Sequence, residues 1–191
     1  MAANPRTLAD AQRTVLSSHK ESTAEDKVSF YDSWSELYEQ LQKLGFRNFH
    51  GMDGCERMLE LARSKSVYQT LQKCMLDTEP LQMSSDSYDV VMIVGALSEG
   101  QVPYTILPEL LRVTKPGGFV CMTTRINKSN QHYKKQLQAV IEEMEQKGLW
   151  EKVKVQEVEH WEKATSLHEA EQGSKYISGI IYMYQKSRSQ V

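Results

Sequence analysis

The sequence predicts an α/β fold, a mostly parallel open sheet flanked by helices, with its last strand antiparallel. Three observations point to it. Two successive strand–helix units each place an acidic residue at the mouth of a strand: Asp53 in Asn48-Phe-His-Gly-Met-Asp53, and Asp77 in Leu71-Gln-Lys-Cys-Met-Leu-Asp77. A third apolar strand, residues 88–94, breaks into the small-residue turn Gly95-Ala96-Leu97-Ser98. The final apolar stretch, residues 176–184, alternates Ile177, Ile181 and Met183 with Tyr176, Ile180, Tyr182 and Tyr184, so both of its faces are apolar. Such a strand belongs inside a covered sheet rather than at its edge.

The elements follow in order. Leu8, Ala11, Val15 and Leu16 fall at helical spacing, and Ser22-Thr-Ala-Glu25 has the form of a capping box. Phe30, Trp34, Leu37, Leu41 and Leu44 continue a helix to Gly45, which suits a left-handed cap. Met58, Leu59, Leu61 and Ala62 mark a helix ending near Ser64, and residues 78–87, with Pro80 and a serine cluster, form a loop. Ile106, Leu107, Leu110, Leu111 and Val113 form the next helix, with Pro103 and Pro108 tolerable only near its start. Lys115-Pro-Gly-Gly118 is a type II turn signature launching a strand over residues 119–124. Tyr133, Leu137, Val140, Ile141 and Met144 define a long amphipathic helix stopped by Gly148, and a strand begins at Val153. The expected organisation is N-terminal helices over residues 1–45, then one α/β domain over residues 46–191.

Composition narrows the function. The chain has 191 residues, 40% hydrophobic and 25% charged, which are ordinary globular values. A net charge of −2 offers no basic footprint for nucleic acid or an anionic membrane. No apolar run is long enough to cross a bilayer, and the opening Met-Ala-Ala-Asn-Pro-Arg has no secretory core, so a cytoplasmic or nuclear location is expected. The three cysteines share no metal spacing; Cys74 and Cys121 fall in expected strands as buried thiols. His160 and His168 lack the spacing of a zinc site, so no metal is expected.

Five elements resemble the class I S-adenosylmethionine-dependent methyltransferases: Phe30-Tyr-Asp-Ser-Trp34 with Tyr38, His50-Gly-Met-Asp-Gly54, Ser87-Tyr-Asp-Val-Val91, Leu110-Leu-Arg-Val-Thr-Lys-Pro-Gly-Gly118, and the terminal strand pair. The resemblance implies a Rossmann-like sheet, S-adenosylmethionine as cofactor, and methyl transfer to a small molecule or a protein side chain by a monomer. The family's first strand and its Asp/Glu-x-Gly-x-Gly-x-Gly loop do not occur in the sequence, so the Asp53 strand is expected to pair directly with the strand at residues 88–94 in a single shortened sheet, and a non-catalytic interaction protein stays open. A nicotinamide-dependent oxidoreductase fits less well, because its Gly-x-Gly-x-x-Gly is also missing.

Through the resemblance, Asp53 with Gly54 would accept hydrogen bonds from the two ribose hydroxyls. Leu76 would pack on the adenine, Asp77 would accept from its amine, and Val94, Gly95 and Ala96 would wall the cofactor. Trp34 and Tyr38 would cover it, although an aromatic stripe at helical spacing is also what a core requires. Asp53 could equally cap the following helix, and Asp77 could be a solvated loop acid. Ser98, Glu99, Arg125 and His132 follow strand ends and could face the acceptor. No residue is marked as a catalytic base.

Overall fold

The computed structural model describes residues 45–77, 80–163 and 176–188. The expected N-terminal helices, with Trp34 and Tyr38, lie outside the described residues. The chain divides into two compact units, Met1–Met75 and Leu76–Val191.

In the first unit, β1 (His50–Asp53) pairs in parallel with β2 (Thr70–Lys73), from His50 opposite Thr70 to Asp53 opposite Lys73. The crossover is α1 (Glu56–Ser64), which buries Leu59. Gly51 lets the two strands approach: a Cβ there would lie 2.7 Å from Leu71 Cδ2 and 3.0 Å from the Tyr68 ring. The sequence places Asp77 at the end of the second strand, but β2 stops at Lys73. The reason is that β1 turns into α1 after Asp53, so among the described residues the pairing of β2 with β1 ends with the bond from Cys74 N–H to the Asp53 carbonyl (3.1 Å). Cys74 therefore lies outside the strand and is half-exposed.

The second unit holds β3 (Tyr88–Leu97), a 3₁₀ turn (Tyr104–Ile106), α2 (Leu107–Val113), β4 (Thr114–Arg125), α3 (Gln131–Gln146), β5 (Trp150–Lys163) and β6 (Tyr176–Lys186). The sheet order is β3-β4-β6-β5: β3 and β4 are parallel, and β6 runs antiparallel between β4 and β5. The two-faced apolar stretch thus lies inside the sheet, as its pattern requires, with Ile177, Ile180, Tyr182, Met183 and Tyr184 buried. Among the described residues the ladders form two sheets, not the single shortened sheet in which the Asp53 strand would pair with the strand at residues 88–94.

Helix α3 buries Tyr133, Leu137, Ile141 and Met144 as one stripe and packs against β5. It ends before Gly148, whose φ of +67° lies in the left-handed region that a side chain disfavours. The Trp150 indole N–H donates to the Ile141 carbonyl (3.2 Å), and its ring lies 4.6 Å from that of Tyr184. Pro108 sits in the first turn of α2, where its missing N–H leaves no bond unmade. Gly117 has the left-handed φ (+78°) that the expected type II turn needs, but residues 115–118 lie within β4 rather than before it, as an irregularity between the Tyr88–Thr114 and Val90–Phe119 pairs.

Two ionic devices hold the loops. Arg112 donates to both Glu109 carboxylate oxygens, to the Met83 carbonyl (2.8 Å) and to the Leu81 carbonyl (2.9 Å), while Leu81 N–H donates to Glu109 (3.0 Å). Lys186, only 5% exposed, donates to Asp86 Oδ1 (2.8 Å) and to the carbonyls of Leu111 (2.9 Å) and Thr114 (2.8 Å). Its ammonium thereby caps the C-terminus of α2, where carbonyls lack helical partners and the dipole favours a cation.

Candidate functional site

In the first unit the site is built around the carboxyl end of β1. Asp53 Oδ1 accepts from Cys55 N–H (2.7 Å), a side-chain turn that carries the chain from strand to helix. The residue at the cap position of α1 is Cys55, which makes no side-chain capping bond, so Asp53 holds the junction without being the cap itself. The carboxylate is half-buried, and its second oxygen has no hydrogen-bond partner among the described residues. Gly54 adjoins Asp53 as the sequence implies. A Cβ there would meet only the mobile end of Met75, which is 71% exposed, so local sterics do not demand glycine.

Leu76 and Asp77 belong to the second unit, three and four residues beyond β2. Leu76 is half-buried and Asp77 exposed, so neither is delivered by a strand end.

The stretch Val94–Ala96 differs from expectation in an informative way. The sequence predicts that the strand breaks at Gly95, whereas β3 runs on to Leu97 through a bulge. Ile93 pairs with Met122 and Leu97 with Thr124, so β3 carries two more residues than β4 over this span. Gly95 sits in the bulge with φ +69°, and no described atom lies within 4 Å of where its Cβ would be. Its N–H, displaced from the ladder, donates to Thr123 Oγ1 (2.9 Å). Val94 and Ala96 are half-buried on either side.

Beyond the bulge a hydrogen-bond network locks the loop after β3 to the end of β4. Thr124 Oγ1 donates to the Leu97 carbonyl (2.6 Å) and accepts from Asn130 Nδ2 (3.0 Å). Asn130 also donates to the Arg125 carbonyl (2.8 Å) and accepts from Glu99 N–H (2.9 Å). Tyr133 O–H donates to the Val102 carbonyl (2.6 Å). Burial, reinforced by the Glu99 carboxylate and Tyr104, raises the Tyr133 phenol well above its ordinary range, so it remains a donor at physiological pH. Ser98 is buried and donates to Gln101 Oε1 (2.7 Å), so its hydroxyl serves the loop rather than an acceptor. Glu99 and His132 are exposed and Arg125 is half-buried. Thr123 and Thr124 escape sequence reasoning because they read as ordinary strand residues, and Asn130 because a polar residue before a helix looks like any loop.

A depression of about 420 Å³ in the first unit, lined by Ala62, Arg63, Ser66, Tyr68, Gln69 and Leu71, contains none of these residues. Among the described residues no group of three His, Cys, Asp or Glu could hold a metal ion, and no helix is long and apolar enough to cross a membrane.

The sheet, with its antiparallel strand inserted beside the parallel pair, has the α/β fold of the Rossmann-like class I methyltransferases, and residues 34–122 match the methyltransferase domain family. Over 112 residues the chain is 51% identical to human Methyltransferase-like protein 27; the match covers 59% of this chain and 45% of that protein, so the chain spans under half of that relative's length. Among solved structures, it resembles a chain of the complex between the Haloferax volcanii Trm112 methyltransferase activator and a methyltransferase, with TM-score 0.58 and 15% identity over 82% of this chain and 79% of that one. It also resembles an S-adenosylmethionine-dependent methyltransferase from Mesorhizobium loti, with TM-score 0.53 and 14% identity over 78% of this chain and 84% of that one.

Proposed function

We propose that the chain is an S-adenosylmethionine-dependent methyltransferase acting on a small-molecule or protein acceptor, and that this form is weakly active. The observation that carries the reading is the position of β6, antiparallel between β4 and β5, in a chain whose residues 34–122 match the methyltransferase domain family. That strand arrangement favours methyl transfer over the nicotinamide-dependent alternative. When bound, S-adenosylmethionine supplies an electrophilic methyl group on a sulfonium.

The residues fit such a group at two places. The second oxygen of Asp53 is available to a vicinal diol, and the space beside Gly95 admits a ligand close to the backbone. In this reading Asp53 orients the ribose, Asp77 accepts from the adenine amine, and Leu76 packs on the ring. Val94, Gly95 and Ala96 would wall the cofactor, and Trp34 and Tyr38 would cover it. The acceptor needs in-line placement more than a base, and proximity supplies much of the rate. Weak activity follows from the sequence, which lacks a glycine-rich loop to offer backbone amides to the methionyl part. The same lack favours the second reading, a non-catalytic protein that acts by interaction. The protein would work as a cytoplasmic monomer.

The test compares S-adenosylmethionine affinity in Asp53→Ala and Asp77→Ala. Asp53 would make two charge-assisted hydrogen bonds where Asp77 makes one, each contributing about 1.5–3 kcal/mol. Asp53→Ala is therefore expected to weaken binding by at least about tenfold more than Asp77→Ala. Equal affinity in wild type and Asp53→Ala would refute the placement, and no binding by wild type would leave the interaction reading.

A further inference from the structure

We infer that Thr123 is a positioning residue for cofactor binding, setting the shape of the wall at Val94, Gly95 and Ala96 without touching the ligand. The inference rests on the proposed cofactor site. It starts from a backbone problem: β3 carries two more residues than β4 between the Ile93–Met122 and Leu97–Thr124 pairs, so the ladder cannot serve every N–H in between. Gly95 itself is exposed, but its N–H turns toward the buried face of β4, where an unmet donor is costly and rarely left. The Thr123 side chain stands in for the missing carbonyl: its Oγ1, on a residue 2% exposed, accepts from Gly95 N–H at 2.9 Å.

The next residue does the complementary work. Successive strand residues point to opposite faces, and Thr124, also 2% exposed, donates to the Leu97 carbonyl at 2.6 Å. Asn130, 3% exposed, fixes the Thr124 hydroxyl by donating to it, so that its proton is committed to Leu97. Two adjacent threonines thus grip the bulge, one at its middle and one at its far end. Gly95 at φ +69° needs such a grip, because glycine otherwise samples many conformations.

The hydroxyl, not the bulk, carries the role. Thr123→Val keeps the shape and removes the acceptor, whereas Thr123→Ser keeps the acceptor. Affinity for radiolabelled S-adenosylmethionine, measured by equilibrium dialysis on the full chain, should fall about tenfold in Thr123→Val and stay within about twofold of wild type in Thr123→Ser. Lys186→Met, which loosens the fold at α2, serves as the structural control and should lower the melting temperature while leaving affinity unchanged. Wild-type binding with equal affinity in Thr123→Val would overturn the inference alone. So would a loss in Lys186→Met as large as that in Thr123→Val, since affinity would then simply follow stability. No binding by the wild-type chain would overturn the inference together with the reading on which it rests.

Discussion

Replacing Lys186 with methionine tests how much of the second unit's stability depends on one buried ammonium. Its three short bonds, to Asp86, Leu111 and Thr114, are all charge-assisted. At about 1.5–3 kcal/mol each they give a gross contribution of about 4.5–9 kcal/mol. Against this stands the desolvation of the ammonium, several kcal/mol, which the variant no longer bears. Asp86, 51% exposed, rehydrates at little cost, and the Leu111 carbonyl keeps its bond from Thr114 N–H. The net loss is then about 3 kcal/mol. At about 2–4 °C per kcal/mol for a chain of this size, the melting temperature should drop by about 6–12 °C. Thermal melts followed by circular dichroism read this directly. Burial shields the ammonium from screening, so the difference should persist at about 0.5 M salt. A drop below about 2 °C, or one that vanishes in salt, would show that the cap contributes no more than a surface pair.

Three further outcomes follow from other buried groups. The hydrogen bond from Arg112 holds the Glu109 carboxyl below its ordinary value; this stability is fully present above the unfolded value of about pH 4.3 and is lost as pH falls through the lower native value, so Glu109→Gln should lower stability at pH 7 and flatten the acid limb, the two stability–pH curves converging at low pH. Burial pushes the thiol of the half-buried Cys121 up to about 12, whereas Cys55 is exposed, so a thiol reagent at pH 8 should label Cys55 much faster than Cys121, as peptide mapping would show. The Tyr184 hydroxyl is buried without a hydrogen-bond partner among the described residues, while that of Tyr133 donates to Val102. Denaturant titration should therefore find Tyr184→Phe as stable as wild type or more so, and Tyr133→Phe less stable by about 1 kcal/mol.

The legible parts of the fold are those where one local rule acts alone. The ends of α1 and α3, the left-handed backbone at Gly117 and the interior position of β6 follow from helical spacing, glycine placement and a two-faced apolar stretch. The illegible parts depend on a partner strand. Nothing in Leu71-Gln-Lys-Cys-Met-Leu-Asp77 signals that pairing stops at Lys73, because β1 decides it. The bulge at Gly95 likewise depends on Thr123 and Thr124, some 28 residues away. The position of Asp53 at a strand end was legible, but not its bond to the N–H of Cys55, the residue at the cap of α1.

The insertion of β6 between β4 and β5 also bears on how the protein is made. Both neighbours precede β6 in the chain, and each needs it: β4 pairs with it from Phe119–Gln185 to Arg125–Gly179, and β5 from Trp150–Lys186 to Tyr176–Lys163. While the ribosome is still adding residues 164–175, β4 and β5 therefore wait without their shared partner, two strand edges with unpaired backbone groups open to other chains. The sheet closes only once residues 176–186 emerge, over long sequence separations that slow the search. Substitutions that weaken β6 should consequently show first in the yield of soluble protein during synthesis, before they show in the melting of chains that have already closed.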